Sequence, residues 1–320
     1  GDRAAATNVS ARRRDARRRL EKGGEAKGGA ATATNETYAC LVYGPGKGHV
    51  AGALVLGATL RTMDGARRRT ALVFDLSDAA RGALGGLWDL RDSPSLERRG
   101  KEESARPSGP PTVWPGRKLD LWALPYARVL YLDLDIMLLP SPTSAAHLRE
   151  LWRRTEDLGL TELAANRVYS TSTKNCFNGG MLLLRPGPAF AAYERNVVLN
   201  EPNAECPGGH DQPVLTKTFR GRWRPIEPWK PMKATEKCKH VPDRPDAMHF
   251  FSASAPWSHQ CAHCVAADRV CSHHRELADE CARPHLLRSQ KLWWSTLVEV
   301  PGYEAWLEDL PGKIHCFGLV

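Results

Sequence analysis

Val129-Leu130-Tyr131-Leu132-Asp133-Leu134-Asp135 is an apolar run that passes straight into two carboxylates. It reads as a buried strand ending in Asp-x-Asp, which places both acids at the C-terminal edge of a sheet. Open α/β folds bind their ligands at that edge. Two like charges held together repel unless a cation joins them. Mg²⁺ or Mn²⁺, shared between carboxylates and the diphosphate of a substrate, is the natural answer. The competing reading is a solvated turn or a helix cap.

Outward from this stretch, strands alternate with helices. Tyr38–Tyr43 reads as a strand ending in Gly44-Pro45-Gly46-Lys47-Gly48, and His49–Met63 as a helix with apolar residues at Val50, Ala53, Leu54, Leu56, Gly57 and Leu60. Thr70–Leu76 is a second strand, Ser77–Leu90 a helix, and Lys118–Leu124 a helical turn. Leu160–Asn166 and Gly180–Leu184 are further strands, followed by a helix over Pro186–Asn200. Residues 92–116, rich in Pro, Gly, Ser and charge, read as a long surface loop. The pattern predicts an α/β fold with a mostly parallel central sheet.

The chain has 320 residues, 42% hydrophobic and 25% charged, which excludes wholesale disorder and coiled coil. No apolar stretch reaches the roughly 18–20 residues of a helical membrane span. The net charge of +9 favours anionic partners. Residues 1–36 hold nine basic against five acidic residues, with a short helix expected over Ala11–Lys22, and read as a basic tail or stem. The tail has no aromatic residue to stack on bases, so nucleic acid is not an expected partner. Asn8-Val9-Ser10 and Asn35-Glu36-Thr37 are glycosylation sequons, which favour a secretory route. The chain starts at Gly1, so a signal peptide or membrane anchor upstream is expected for that route.

Four more segments carry candidate chemistry. Gly44–Gly48 joins a strand to a helix, where backbone N–H groups bind phosphate, although it matches neither a Walker loop nor G-x-G-x-x-G. Cys176-Phe177-Asn178-Gly179-Gly180 pairs an amide with two glycines that let a ligand approach the backbone. Gly208-Gly209-His210-Asp211-Gln212 puts a carboxylate and an amide before the helix-like Pro213–Phe219, to read sugar hydroxyls or simply to cap the helix. Ala247-Met248-His249-Phe250-Phe251 holds a histidine that is either a core residue or a third metal ligand.

Taken in order, these motifs resemble those of the family 8 retaining glycosyltransferases, the group that includes glycogenin and galactinol synthase. The resemblance runs from His49–Gly57 through Lys118-Leu119-x-x-Trp122, Asp133-Leu134-Asp135, Cys176–Gly180 and Asp211-Gln212 to His249-Phe250 and Pro256-Trp257. It spans Tyr38 to Trp257 and implies a GT-A, Rossmann-like nucleotide-sugar fold. It implies that Asp133, Asp135 and His249 bind Mn²⁺, with Mg²⁺ as the alternative, and that the donor is a UDP-sugar. Leu41, Tyr43, His49, Lys118, Leu134, Asn166, Asn178, Gly179, Asp211, Gln212 and Ser252 would line the donor site. Lys118, Asn178, Asp211 and Gln212 would serve the transfer itself. The reaction would move a hexose or related sugar with retention, onto a carbohydrate, polyol, lipid or protein hydroxyl. It would proceed by front-face attack or by double displacement with Asp211 as nucleophile. A Golgi-lumen enzyme is the expectation, cytoplasm the alternative, and the resemblance is compatible with a homodimer.

Three positions depart from the family pattern. Ala255 replaces the lysine of His-x-x-Gly-x-x-Lys-Pro-Trp, with Lys230, Lys233 or Lys237 as substitutes; a catalytically impaired nucleotide-sugar or carbohydrate-binding member is therefore the alternative function. Gly208 stands where an acidic sugar contact is usual, and no tyrosine lies between Tyr193 and Tyr303, which removes the self-glucosylated tyrosine of glycogenin. The expected organisation is a tail over 1–36, a GT-A domain over 37–258 and a Cys/His-rich insert with C-terminal extension over 259–320. In that insert Cys261, Cys264, Cys271 and Cys281 hold Zn²⁺, as an interaction module on the scaffold, or form two local disulfides.

Overall fold

A computed structural model describes residues 35–44, 47–93, 118–167, 176–187, 193, 206, 211–226, 231–233, 242–250, 256–257, 283–303 and 306. The strands are β1 (Glu36–Tyr43), β2 (Arg68–Phe74), β3 (Asp89–Asp92), β4 (Arg128–Leu132), β5 (Ile136–Leu138), β6 (Leu163–Arg167), β7 (Phe177–Leu184), β8 (Trp223–Pro225), β9 (Pro231–Lys233) and β10 (Ala247–His249). The helices are α1 (Lys47–Met63), α2 (Asp78–Gly85), α3 (Pro142–Arg154), α4 (Gln212–Thr218) and α5 (Arg283–Val298), with one turn of 3-10 helix at Leu119–Ala123.

Seven strands form the central sheet in the order β3-β2-β1-β4-β7-β6-β8. β1 runs parallel to both β2 and β4, β2 parallel to β3, and β6 parallel to β8. β7 alone is inserted antiparallel, between β4 and β6. The expected α/β fold with a mostly parallel sheet is the one observed. The run Tyr38–Val42 of β1 is apolar because both of its faces are covered. Tyr38, Cys40 and Val42 face one core with Leu54 and Leu60 of α1, while Ala39 and Leu41 face a second core with Leu119, Trp122 and Leu215. Truncating a wholly buried residue such as Leu54 or Leu130 to alanine costs about 2–5 kcal/mol.

Helix ends follow local chemistry. Ser77 caps α2 by accepting from the Ala80 N–H at 3.2 Å, and Ser141 caps α3 by accepting from Ser144, ahead of Pro142. The helix expected over Ser77–Leu90 is shorter than read. It ends at Gly85, and Asp89–Asp92 forms the edge strand β3 beside β2. Glycines at 82, 85 and 86 weaken the helix, and the Trp88 indole is drawn into the core, donating to the Ala53 carbonyl at 2.9 Å. α1 receives that ring at Gly57, where a Cβ would lie 2.5 Å from Trp88 Nε1.

A second sheet, in the order β5-β10-β9, was not expected. Its strands are three residues each, too short to show a period of two in sequence. The tail and its helix over Ala11–Lys22, most of the 92–116 loop, most of the Pro186–Asn200 helix and the Cys/His-rich insert at 258–282 lie outside the described residues. Glu36, assigned to the tail by sequence, instead opens β1 and takes ion pairs from Arg67 and Arg128.

Candidate active site

β4 stops at Leu132, and the chain turns through the Asp-x-Asp. The Asp133 N–H donates to the Gly180 carbonyl at 2.7 Å, and Ile136 N–H donates back to the Asp133 carbonyl at 3.1 Å. β5 then pairs antiparallel with β10, placing His249 opposite Ile136, and Phe250 N–H donates to the Asp135 carbonyl at 2.8 Å. The small sheet therefore carries a histidine more than a hundred residues away to the two acids. Asp133, Asp135 and His249 offer ligand atoms within 4.8 Å of one another. His249 also needs room on β7. A Cβ on Gly180 would lie 2.5 Å from the imidazole Cε1.

The group suits a hard or borderline divalent cation. Asp135 Oδ1 is buried and accepts no hydrogen bond among the described residues, with His249 Nε2 3.3 Å away. A carboxylate oxygen and a ring nitrogen facing each other in this way are satisfied by a cation between them. The O, O, N donor set matches Mn²⁺ or Mg²⁺ better than a thiophilic metal. Asp133 has a second set of partners. Tyr131 donates its hydroxyl to Asp133 Oδ1, and Lys118 Nζ lies 3.3 Å from the same oxygen and 4.6 Å from the centre of the Tyr131 ring. Tyr131 was missed by motif reading. Its signal is the strand period, which puts Val129, Tyr131 and Asp133 on one face.

Lys118 lies at the start of the 3-10 turn and is wholly buried. Its ammonium meets the Gly179 carbonyl at 2.5 Å and the Asp211 carboxylate at 2.8 Å, besides Asp133. The turn is pinned in place by Ser93, whose hydroxyl donates to Asp120 at 2.6 Å. Asp211 sits in the cap position of α4 but makes no capping bond with its side chain. Its carboxylate faces Lys118 instead, so the simple-cap reading does not describe it. Gln212 turns back to β7, where its Oε1 accepts from Asn178 Nδ2 and from the Gly179 N–H, each at 3.3 Å. Asn178 Oδ1 in turn accepts from the Gly180 N–H at 2.9 Å.

The remaining predicted residues fall around this centre. Asn166 ends up opposite Asn178, past an irregularity in the β6–β7 register. Tyr43 and His49 have ring centres 5.1 Å apart at the C-terminal end of β1, with His49 Nδ1 3.1 Å from the Tyr43 carbonyl. Leu41 packs its side chain into the second core, which leaves its backbone for any ligand contact. The Leu134 carbonyl lies against α1, 3.2 Å from where a Cβ on Gly52 would be, and the Trp257 ring lies over Gly48 and Gly52. Ser252, Gly208, Ala255, Lys230, Lys237 and the four insert cysteines lie outside the described residues, as does the side chain of Lys233. One link was not foreseen. Cys176, two residues before Asn178, is disulfide-bonded to Cys206, five residues before Asp211.

No protein-family model matches the chain, and no curated protein matches it in sequence. Solved structures do match in fold. The galactosyltransferase LgtC, in complex with donor and acceptor sugar analogues, superposes with a TM-score of 0.53 at 17% identity, over 79% of this chain and 95% of that one. An active-site mutant of LgtC gives 0.54 at 16% identity, over 81% and 95%. The apo form of the bifunctional glycosyltransferase WbbM gives 0.51 at 13% identity, over 73% of this chain and 48% of that one. At these identities the likeness is one of architecture: the chain has the α/β, GT-A type of fold.

Proposed function

We propose that the chain is a metal-dependent retaining glycosyltransferase that moves a hexose or related sugar from a UDP-sugar to a hydroxyl acceptor. The observation that carries this reading is the convergence of Asp133, Asp135 and His249 within 4.8 Å, beside the Lys118–Asp211 pair. The fold shared with galactosyltransferase LgtC supports it. Mn²⁺ held by Asp133, Asp135 and His249 would neutralise the diphosphate and assist its departure.

The chain's own residues divide the remaining work. Tyr43 and His49 offer ring faces for uracil and ribose. Asn178, Gln212 and Asn166 are neutral amides, suited to sugar hydroxyls because they both donate and accept. Asp211 is held by Lys118 and only 2% exposed, so its carboxylate is not free to swing onto an anomeric carbon. That supports front-face attack over a covalent intermediate on Asp211. The acceptor hydroxyl then attacks on the face from which UDP leaves, and its proton passes to the departing phosphate oxygen.

The Cys176–Cys206 disulfide supports folding in an oxidising compartment such as the Golgi lumen. No helix among the described residues is long and apolar enough to cross a membrane. Ala255 keeps a second reading open, an impaired family member that binds the donor without turning it over. One experiment separates the two: UDP release over a panel of UDP-sugars, with and without Mn²⁺, for the wild type and Asp135→Ala. Mn²⁺-dependent release from one donor, lost in a folded Asp135→Ala protein, is the expected result. Undiminished release in that variant overturns the assignment, and Mn²⁺-dependent UDP binding without release favours the impaired member.

A further inference from the structure

We propose that Tyr131 is a positioning residue for the metal centre, one that fixes the Asp133 carboxylate in place to receive the cation. The proposal rests on the metal-dependent transfer reading and adds a residue outside the expected donor-site set. Tyr131 pairs with Ala39 of β1 and Leu182 of β7 and is 2% exposed. Packing alone does not call for its hydroxyl. The side chain lies in the second core with Ala39, Val129 and Leu182, where a phenylalanine ring would fill the same space. A buried phenol needs a hydrogen-bond partner. This one donates to Asp133 Oδ1, two residues on along the same face.

The two oxygens of Asp133 thereby take different tasks. Oδ1 accepts from the Tyr131 hydroxyl and has Lys118 Nζ 3.3 Å away. A carboxylate oxygen has two lone pairs, so Oδ1 is engaged and Oδ2 is the freer oxygen for a cation. The two partners of Oδ1 act differently. The Lys118 ammonium lies closer to the Asp211 carboxylate, at 2.8 Å, and to the Gly179 carbonyl, at 2.5 Å, so its charge is answered mainly there. A phenol carries no net charge. It fixes the direction of the carboxylate without competing with a divalent cation for the negative charge, as outer partners of metal ligands do. The Tyr131 ring adds a second contact: its centre is 4.6 Å from Lys118 Nζ, which helps to hold the ammonium beside the same oxygen. Asp135 offers the contrast, since its buried Oδ1 accepts no hydrogen bond among the described residues. Asp133 is thus the ligand oriented before the metal arrives.

The test uses Tyr131→Phe, which removes the hydroxyl and keeps a ring over Lys118. Mn²⁺ affinity of the full chain is read by electron paramagnetic resonance, alone and with UDP, for wild type, Tyr131→Phe, Asp133→Asn and the double variant. Circular dichroism shows whether each stays folded. Tyr131→Phe is expected to weaken Mn²⁺ binding roughly tenfold to a hundredfold, the scale of a lost partner behind a metal ligand. In the Asp133→Asn background the same change is expected to add little, because the tyrosine acts through that carboxylate. UDP release by Tyr131→Phe is expected to recover as Mn²⁺ is raised, which a loss through loosened packing would not do. Unchanged Mn²⁺ affinity in Tyr131→Phe, or a loss as large without the Asp133 carboxylate as with it, overturns this inference and leaves the transferase reading intact. A wild type that binds no divalent cation, alone or with UDP, overturns the metal-dependent reading itself, and with it any metal ligand for Tyr131 to position.

Discussion

The Lys118 ammonium lies 2.8 Å from the Asp211 carboxylate, and both groups are buried. A charge pair in that setting stands because each partner satisfies the other; removing one strands its mate. Lys118→Met is therefore expected to cost about 3–5 kcal/mol of folding free energy, since it takes the ammonium away from the buried Asp211 carboxylate. Lys118→Met combined with Asp211→Asn is expected to recover part of that loss. Urea unfolding of the four proteins in a double-mutant cycle measures the coupling. A coupling near zero would mean that the pair is not the organiser of this corner.

His249 reaches the acids only because β7 has no side chain at Gly180. A methyl group there would lie 2.5 Å from the imidazole carbon, a distance real contacts do not reach. Gly180→Ala is expected to push His249 off Asp135 and to lower Mn²⁺ affinity by at least tenfold, on the scale of lost ligand positioning. Mn²⁺ titration followed by electron paramagnetic resonance reads the affinity directly, with circular dichroism to show that the fold persists. Unchanged Mn²⁺ binding would place the metal elsewhere.

Much of this arrangement was legible in the sequence. Val129–Asp135 announced a strand and its acids because hydrophobic burial and charge segregate along so short a stretch. Tyr38–Tyr43 and Leu54–Leu60 likewise declared their elements by apolar pattern. What stayed hidden is what depends on distant pairing. The link from Asp135 to His249 runs through three-residue strands that carry no periodicity of their own. Lys118 was readable as a site residue, but its burial among Gly179, Asp133 and Asp211 was not, because nothing local marks an ion pair spanning some 90 residues. The helix misread over Trp88–Leu90 failed for a related reason: the pull on Trp88 comes from Ala53 and Gly57, across the chain.

The Cys176–Cys206 bridge closes a separation of 30 residues that begins beside Asn178 and ends shortly before Asp211. On the chain-entropy model a loop of that size stabilises the fold by about 3–4 kcal/mol. Cys176→Ser with Cys206→Ser is expected to lose that amount in urea unfolding. It is also expected to slow turnover more than it weakens UDP binding, because the bridge flanks Asn178 and Asp211, the residues proposed to face the sugar, and not the Tyr43–His49 side. Equal loss of both would show a general loosening instead of a local one.

Cys40 is a free thiol wholly buried in β1, and Tyr38 lies two residues before it on the same face. Burial pushes the Cys40 thiol well above its usual range. It also raises the Tyr38 phenol, which donates to Asp64 at 2.7 Å and feels that carboxylate's charge. The sign follows from which state holds the proton. The folded chain keeps Cys40 protonated, while the unfolded chain releases it near the ordinary thiol value of about 8.5. The stability it contributes is full below that pH and declines as pH rises towards the folded value. Unfolding free energy is thus expected to fall with each step from pH 8 to pH 10, first through Cys40 and then, above about pH 10, through Tyr38. Cys40→Val keeps a small apolar side chain and removes the ionisation. It is expected to flatten the decline between pH 8 and 10 while leaving the steeper loss above it. Peptide mapping after iodoacetamide treatment at pH 8 provides the second readout: Cys40 stays unmodified in the native protein and reacts only when the chain is unfolded. Rapid native labelling, or an alkaline decline unchanged in Cys40→Val, would mean that β1 opens to solvent far more readily than its two covered faces imply.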